Sequence, residues 1–238
     1  LLPHLHALQL LLSQFGQAAD EIKIGLTVSL SGDLAELGQQ QLQGMQMWQE
    51  DINSRGELLG RPVKLVHYDD RSDPATSARL YERLIKEDRV DLLLGPYSSD
   101  ITLAASTVAE NNNFPMLTVG AAAEAIWERG YKNVFGIDVP ARAYMDSVIE
   151  MLKERAPLRV ALVYVDDAVF TRDMADGARR QAAAHGLQLV FDQGFSQQDE
   201  DFSSLVQGMR EAKPDVVIGA VYYDEALDIM REARQQGL

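Results

Sequence analysis

The chain has 238 residues, 46% of them apolar and 24% charged, enough to bury the core of one large or two modest domains. Its formal net charge is −14, with the acids spread along the chain, and such a field repels phosphate backbones, which argues against a nucleic-acid partner. There is no cysteine, so disulfides, thiolate metal sites and cysteine nucleophiles are excluded.

Residues 1–19 differ from the rest. Leu5 to Leu12 is rich in apolar residues, and Gly16-Gln17-Ala18-Ala19 supplies the small side chains a signal peptidase prefers. The first lysine is Lys23, and neither a basic segment nor a starting Met precedes the apolar run. The pattern reads as the remnant of a secretory signal cleaved after Ala18 or Ala19, against the plainer reading of an amphipathic helix. A secretory signal implies export from the cytoplasm. No later segment reaches the roughly 18–20 apolar residues that span a bilayer.

From Ile22 onward, short runs rich in Val, Ile and Leu alternate with helical periodicity. The runs at Ile22–Leu30, Val63–Tyr68, Asp91–Leu94, Pro115–Val119, Asn133–Ile137, Arg159–Val165, Leu187–Phe191 and Asp215–Val221 read as strands. Several are apolar at successive positions, as strands buried on both faces are. Helices are expected at Gln39–Asn53, Pro74–Glu87, Ser99–Asn111, Arg142–Arg155, Thr171–His185, Phe202–Ala212 and Asp224–Gln236. Pro74 sits where a first helical turn tolerates proline, while Gly186 and Gly237 stand just past helix ends. This alternation specifies an α/β fold with parallel sheets flanked by helices. A break near residues 138–141 predicts two Rossmann-like lobes, 20–138 and 139–238.

The chain carries no G-x-G-x-x-G after its first strand, no P-loop, no G-x-S-x-G elbow and no H-E-x-x-H. His4, His6, His67 and His185 are scattered, without the spacing of metal ligands or of a triad. Asp69-Asp70 and Asp166-Asp167 close two strands. They could serve acid/base or metal chemistry, but residues so placed more often hold the following turn through Asx hydrogen bonds. Tyr222-Tyr223 could be buried wall or contact surface. No catalytic constellation, cofactor or metal site is expected.

The informative segments follow strands, where open parallel sheets bind ligands. They are Ser29-Leu30-Ser31-Gly32, Gly95-Pro96-Tyr97-Ser98-Ser99 and Gly120-Ala121-Ala122-Ala123. Small residues there let backbone N–H groups approach an anion, and the second offers two hydroxyls at a helix start. Each could equally be a tight βα link.

Taken in order, the blocks IKIGLTVSLSG, DINSRGELLGRPVKLVHYDDRSDP, LLLGPYSS, ERGYKNVFG, and DFSSLV with DVVIGAVYYDEALDIMREARQQGL resemble the leucine/isoleucine/valine-binding proteins. These are type I periplasmic binding proteins of ABC importers, and the likeness runs from Ile22 to Leu238. The resemblance implies a Venus-flytrap fold that encloses a small amino-acid-like or carboxylate ligand between two lobes and delivers it to an ABC permease. It implies no enzyme activity. The serine that grips the ligand carboxylate falls on Ser99, and the backbone donors of the next loop fall on Gly120 and Ala122. Tyr97 belongs to the same turn. Tyr222 matches the second-lobe tyrosine that closes over the ligand, and Phe170 matches an aromatic of the same wall. Two positions depart from the family: Ala122 stands where a threonine would add a hydroxyl, and Leu37 stands where an aromatic is usual. One hydrogen bond to a charged group is worth ~1.5–3 kcal/mol, so the missing hydroxyl predicts weaker carboxylate binding or a replacement donor. The family's ammonium-binding acid would lie beyond Leu238.

The resemblance further implies that lobe crossings follow Gln236, so that the first lobe would expose an unpaired edge and an apolar patch. Two competing functions share the fold: a sensory ligand-binding domain joined to a signalling module, and a flavodoxin-like enzyme, which would need a reactive constellation.

Overall fold

The structure is a computed structural model that describes residues 21–155 and 158–238. The expected signal remnant at 1–19, with His4 and His6, lies outside the described residues. Two parallel sheets organise the chain. The first contains β1 (Ile22–Val28), β2 (Val63–Asp69), β3 (Leu92–Leu94), β4 (Met116–Thr118) and β5 (Val134–Gly136), in the order β2-β1-β3-β4-β5. The second contains β6 (Arg159–Val165), β7 (Gln188–Phe195) and β8 (Val216–Ala220), in the order β7-β6-β8. Helices α1 (Ala35–Ser54), α2 (Pro74–Lys86), α3 (Ser99–Asn111), α4 (Asp146–Lys153), α5 (Val169–Ala184), α6 (Ser203–Ala212) and α7 (Tyr223–Gln236) connect and cover the strands.

The sequence of β6 shows why apolar residues run on without alternation. Val160 and Leu162 pack into one cluster with Ile149 of α4 and Met174 and Ala178 of α5. Ala161, Val163 and Val165 face the other way, into a cluster with Leu205, Val206 and Met209 of α6 and Ile229 of α7. A central strand covered on both faces needs apolar side chains at every position. In the first sheet, Leu93 and Met116 bury themselves against Tyr81 and Leu84 of α2 and Ala105 and Ala109 of α3.

The opposite face of that sheet is only half covered. Ile22, Ile24 and Leu65 pack with Ile52 of α1. In register with them, Leu92 pairs with Ile24, Leu117 with Leu94, and Phe135 with Leu117. Leu92, Leu117 and Phe135 are 41%, 37% and 55% exposed, which makes a contiguous apolar face rather than isolated surface residues.

Three elements differ from expectation. The helix expected at Arg142–Arg155 is a 3₁₀ turn, Ala141–Ala143, followed by α4. The turn is pinned to the loop after β4: the Ala141 N–H donates to Ala122 O (2.8 Å), and the Arg142 N–H to Glu124 Oε1 (3.0 Å). Strand β7 runs on to Phe195, because Arg179 pairs with Asp192 (2.7 Å) on the outer side of this edge strand and makes its polar residues compatible with the sheet. Helix α1 begins at Ala35, ahead of the expected Gln39, and thus contains Gly38. Gly38 packs directly on Ser29: a Cβ there would lie 1.9 Å from the Ser29 carbonyl oxygen. This approach, open only to glycine, sets the phase of α1 against the end of β1.

Candidate ligand-binding site

The turn after β1 does not offer free donors, contrary to expectation. The Leu30 and Ser31 N–H groups donate to Asp69 Oδ1 (2.9 and 3.3 Å), and the Ser31 hydroxyl to Asp69 Oδ2 (2.6 Å). Burial alone would raise the Asp69 pKa, but the Ser31 hydroxyl and the N–H groups of Arg71, Leu30 and Ser31 outweigh it and hold the carboxyl below its ordinary value. Asp70 is buried and accepts hydrogen bonds from Ser29 Oγ (2.7 Å), Thr27 Oγ1 (2.8 Å) and the Ser72 N–H (3.0 Å). Asp167 likewise holds Ser196 Oγ (2.6 Å) and the Gln197 N–H (3.0 Å). Asp69, Asp70 and Asp167 therefore tie loops, and the Arg71 and Ser72 amides bonded to Asp69 and Asp70 are Asx turns. His67 is exposed on β2, and His185 caps the C-terminus of α5. Among the described residues no group of three His, Cys, Asp or Glu side chains is placed to hold a metal ion.

The other two turns interlock. The Ser98 N–H donates to Gly120 O (3.0 Å), and Ser98, at φ 76°, caps α3 by accepting the Ile101 N–H (3.3 Å). The capping role thus falls to Ser98, which leaves Ser99 available for something else. Ser99 is 4% exposed, and its Oγ accepts the N–H groups of Ala122 (3.2 Å) and Ala123 (3.1 Å). The Ala121 N–H donates to Asp138 Oδ2 (3.2 Å). The Ala122 amide is therefore already bonded to Ser99 rather than free, and the proton of the Ser99 hydroxyl is the donor left over. Two N–H groups on one hydroxyl oxygen polarise its O–H and make it a stronger donor. Gly120 faces Tyr97 and Gln41: a Cβ at Gly120 would sit 3.2 Å from Tyr97 Cδ2 and 3.4 Å from Gln41 Nε2.

The second sheet contributes an aromatic wall. Phe170 stacks with Tyr222 (centroids 6.4 Å, 29°) and meets Tyr144 edge-on (5.2 Å, 84°). Tyr222 is half-buried, whereas Tyr223 is 75% exposed, so of the pair it is Tyr222 that belongs to the wall. Burial pushes the Tyr222 phenol up, reinforced by the charges of Asp100 and Glu225, by Tyr97 and by Asp167. Burial and Asp138 likewise raise Tyr97 and Tyr144. Asp100 and Tyr97 therefore lie near enough to Tyr222 for their charge to act on its phenol. Asp100 itself is raised by burial, which outweighs the hydrogen bond from the Val169 N–H at the start of α5.

The structure thus groups Ser99, Gly120, Ala122 and Tyr97 in two interlocked turns, and it stacks Phe170 on Tyr222. Leu37, in the first turn of α1, is 41% exposed, and the residue on the same helix face that reaches Gly120 is Gln41, one turn on. Gln41, Tyr144, Asp100 and Asp138 had no marker in the sequence. Two open crevices lie elsewhere. One of about 420 Å³ is lined by Glu124, Arg142, Asp146 and Arg180, and one of about 540 Å³ by Ser203, Gln207, Arg210 and Gln236. Neither is lined by any of the grouped residues.

The family model described as periplasmic binding protein matches residues 21–238. A Leu/Ile/Val-binding protein homolog of Brucella melitensis is 31% identical over 98% of this chain and 61% of its own length. The Leu/Ile/Val-binding protein of Escherichia coli is 28% identical over 92% and 60%. Among solved structures, the branched-chain amino acid transporter substrate-binding protein LivJ of Streptococcus pneumoniae, in complex with isoleucine, superposes with a TM-score of 0.80. It is 25% identical and covers 92% of this chain and 62% of that one. A solute-binding protein of Rhodopseudomonas palustris, in complex with 3,4-dihydroxybenzoic acid, gives a TM-score of 0.78 at 22% identity over 92% and 59%. The chain spans about three-fifths of the length of these relatives. With its two parallel sheets and these likenesses, the chain belongs to the periplasmic binding protein family and has the type I fold.

Proposed function

We propose that the chain is the ligand-holding part of a periplasmic solute-binding protein of an ABC importer, which takes up a small carboxylate-bearing metabolite of amino-acid-like size and passes it to a membrane permease. The observation that carries this reading is the Ser99 hydroxyl. Its oxygen is occupied by the Ala122 and Ala123 amides, which leaves its proton for a further acceptor at the first turn of α3. A helix N-terminus adds about half a positive charge, which favours a carboxylate. Phe170 and Tyr222 supply the apolar cover for the rest of the ligand. The names of the relatives, with isoleucine in one solved neighbour and a dihydroxybenzoate in another, support ligands of this size and charge. The lobes are 20–138 and 139–238, hinged near 138–141, and no catalytic step is assigned. Among the described residues no helix is long and apolar enough to cross a membrane.

Calorimetric titration of the full-length protein with the twenty common L-amino acids, 4-methylpentanoate, benzoate and 3,4-dihydroxybenzoate tests the reading. One-to-one binding of at least one of them is expected. Binding of none, or binding only of uncharged esters or amides of the same acids, would contradict it.

A further inference from the structure

The glutamine run Gln39-Gln40-Gln41 on α1 holds one member unlike its neighbours. Gln39 and Gln40 are exposed, whereas the side-chain amide of Gln41 is buried at both ends, with neither Oε1 nor Nε2 bonded to any protein group. Leaving a buried donor and a buried acceptor unpaired is costly, and an apolar side chain of the same shape would avoid that cost. Gln41 is held in this place by the helix itself. Gly38, one turn earlier on the same face, seats α1 against Ser29, and the next turn then brings Gln41 Nε2 to Gly120, which Tyr97 also abuts. The unpaired amide therefore lies beside the carboxylate cradle and not in a remote part of the core.

We infer that Gln41 is a ligand contact that selects for acids bearing a hydrogen-bond donor on the α-carbon: Nε2 donates to the ligand carboxylate and Oε1 accepts from the α-ammonium. The inference rests on the reading that this cleft binds a carboxylate. A carboxamide has a donor and an acceptor side by side. A bare carboxylate such as benzoate can satisfy only its donor and leaves Oε1 facing another oxygen. An α-amino acid satisfies both. Gln41 thus supplies the donor that Ala122, without a hydroxyl, does not. Asp138, bonded to the Ala121 amide and close enough to Tyr97 to raise its phenol, adds negative potential that suits an ammonium on this side of the cleft.

The test compares the wild type with Gln41→Met in the full-length protein, by thermal melting without ligand and by calorimetry with the tightest-binding L-amino acid of the panel and its deamino acid. The unliganded melting midpoint should stay or rise, because an unpaired amide has been removed. Affinity for the amino acid should fall tenfold or more, and for the deamino acid less than threefold. Gln41→Glu, which keeps the shape but loses the donor and adds a charge beside the carboxylate, should weaken both probes by more than tenfold. A lowered melting midpoint with unchanged affinity would make Gln41 structural and overturn the inference. So would equal losses for the two probes in Gln41→Met, or a wild type that prefers benzoate or the deamino acid. A wild type that binds no carboxylate in the panel contradicts the proposed function itself, and the inference falls with it.

Discussion

Gly38→Ala should lower the unfolding free energy by about 2–3 kcal/mol, while Gly44→Ala, on the same helix, should raise it by about 0.5–1 kcal/mol. Both positions lie inside α1, where alanine is the better helix former by roughly 1 kcal/mol. What separates them is space. An added Cβ at Gly44 meets nothing within 4 Å, but at Gly38 it would lie 1.9 Å from the Ser29 oxygen and 2.7 Å from the Ser29 carbonyl carbon. Both partners are backbone, so relief requires moving the helix or the end of β1 by more than an ångström. Ser29 is itself fastened, because its Oγ bonds the buried Asp70 at 2.7 Å. A backbone clash this deep lies at or above the top of the ~1–3 kcal/mol overpacking range, about 3–4 kcal/mol, and so outweighs the ~1 kcal/mol propensity gain. In thermal melting, a domain of this size should show a fall of roughly 4–12 °C for Gly38→Ala and a small rise for Gly44→Ala. Two rises would show that α1 is not seated as described.

Ser99→Ala should weaken ligand binding by tenfold or more and also destabilise the unliganded protein. The hydroxyl lost to the ligand is a hydrogen bond to a charged group, worth ~1.5–3 kcal/mol, and each 1.4 kcal/mol is about tenfold in affinity. Alanine also strands the Ala122 and Ala123 amides, which now donate to Ser99 Oγ in a buried setting. A stranded buried donor costs ~1–3 kcal/mol, so a stability loss of about 2 kcal/mol should accompany the affinity loss. Ser98→Ala separates the two effects. It removes only the helix cap to the Ile101 amide, for ~1 kcal/mol of stability, and should leave affinity nearly intact. Ala122→Thr in the Ser99→Ala background should restore part of the binding by returning a hydroxyl to the same loop. Unchanged affinity in Ser99→Ala, measured by calorimetry, would remove Ser99 from the site.

Much of the fold was legible because it rests on signals that tertiary packing reinforces. Strand β6 and helix α3 have the boundaries expected from sequence, since an uninterrupted apolar run and a Ser-Ser start leave little choice of register. The errors fall where a distant contact overrides local pattern. The 3₁₀ turn at Ala141–Ala143 looked helical but is held by bonds to Ala122 and Glu124, remote in sequence. The strand was expected to end at Phe191, yet β7 continues to Phe195 with Asp192 paired to Arg179 on its outer side. The site was half legible. Ser99, Gly120, Phe170 and Tyr222 came from the resemblance. Gln41 did not: starting the helix at Gln39 hides which glutamine faces inward, and only the contact of Gly38 with Ser29 fixes that phase. Tyr144 was hidden for a similar reason, since a residue expected in the first turn of a helix lies instead at the end of the 3₁₀ turn, against Phe170. The first-strand turn was misread in the other direction. Its small residues do bind an anion, but the anion is the carboxylate of Asp69.

The central claim is that two lobes, hinged near 138–141, close on a small carboxylate held between the Ser99 turn and the Phe170–Tyr222 wall. Small-angle X-ray scattering from the full-length protein, free and saturated with whichever panel compound binds tightest, measures this most directly. Hinge closure should give a smaller radius of gyration and a shorter maximum dimension with ligand than without it. An unchanged scattering profile under saturating, one-to-one binding would contradict it.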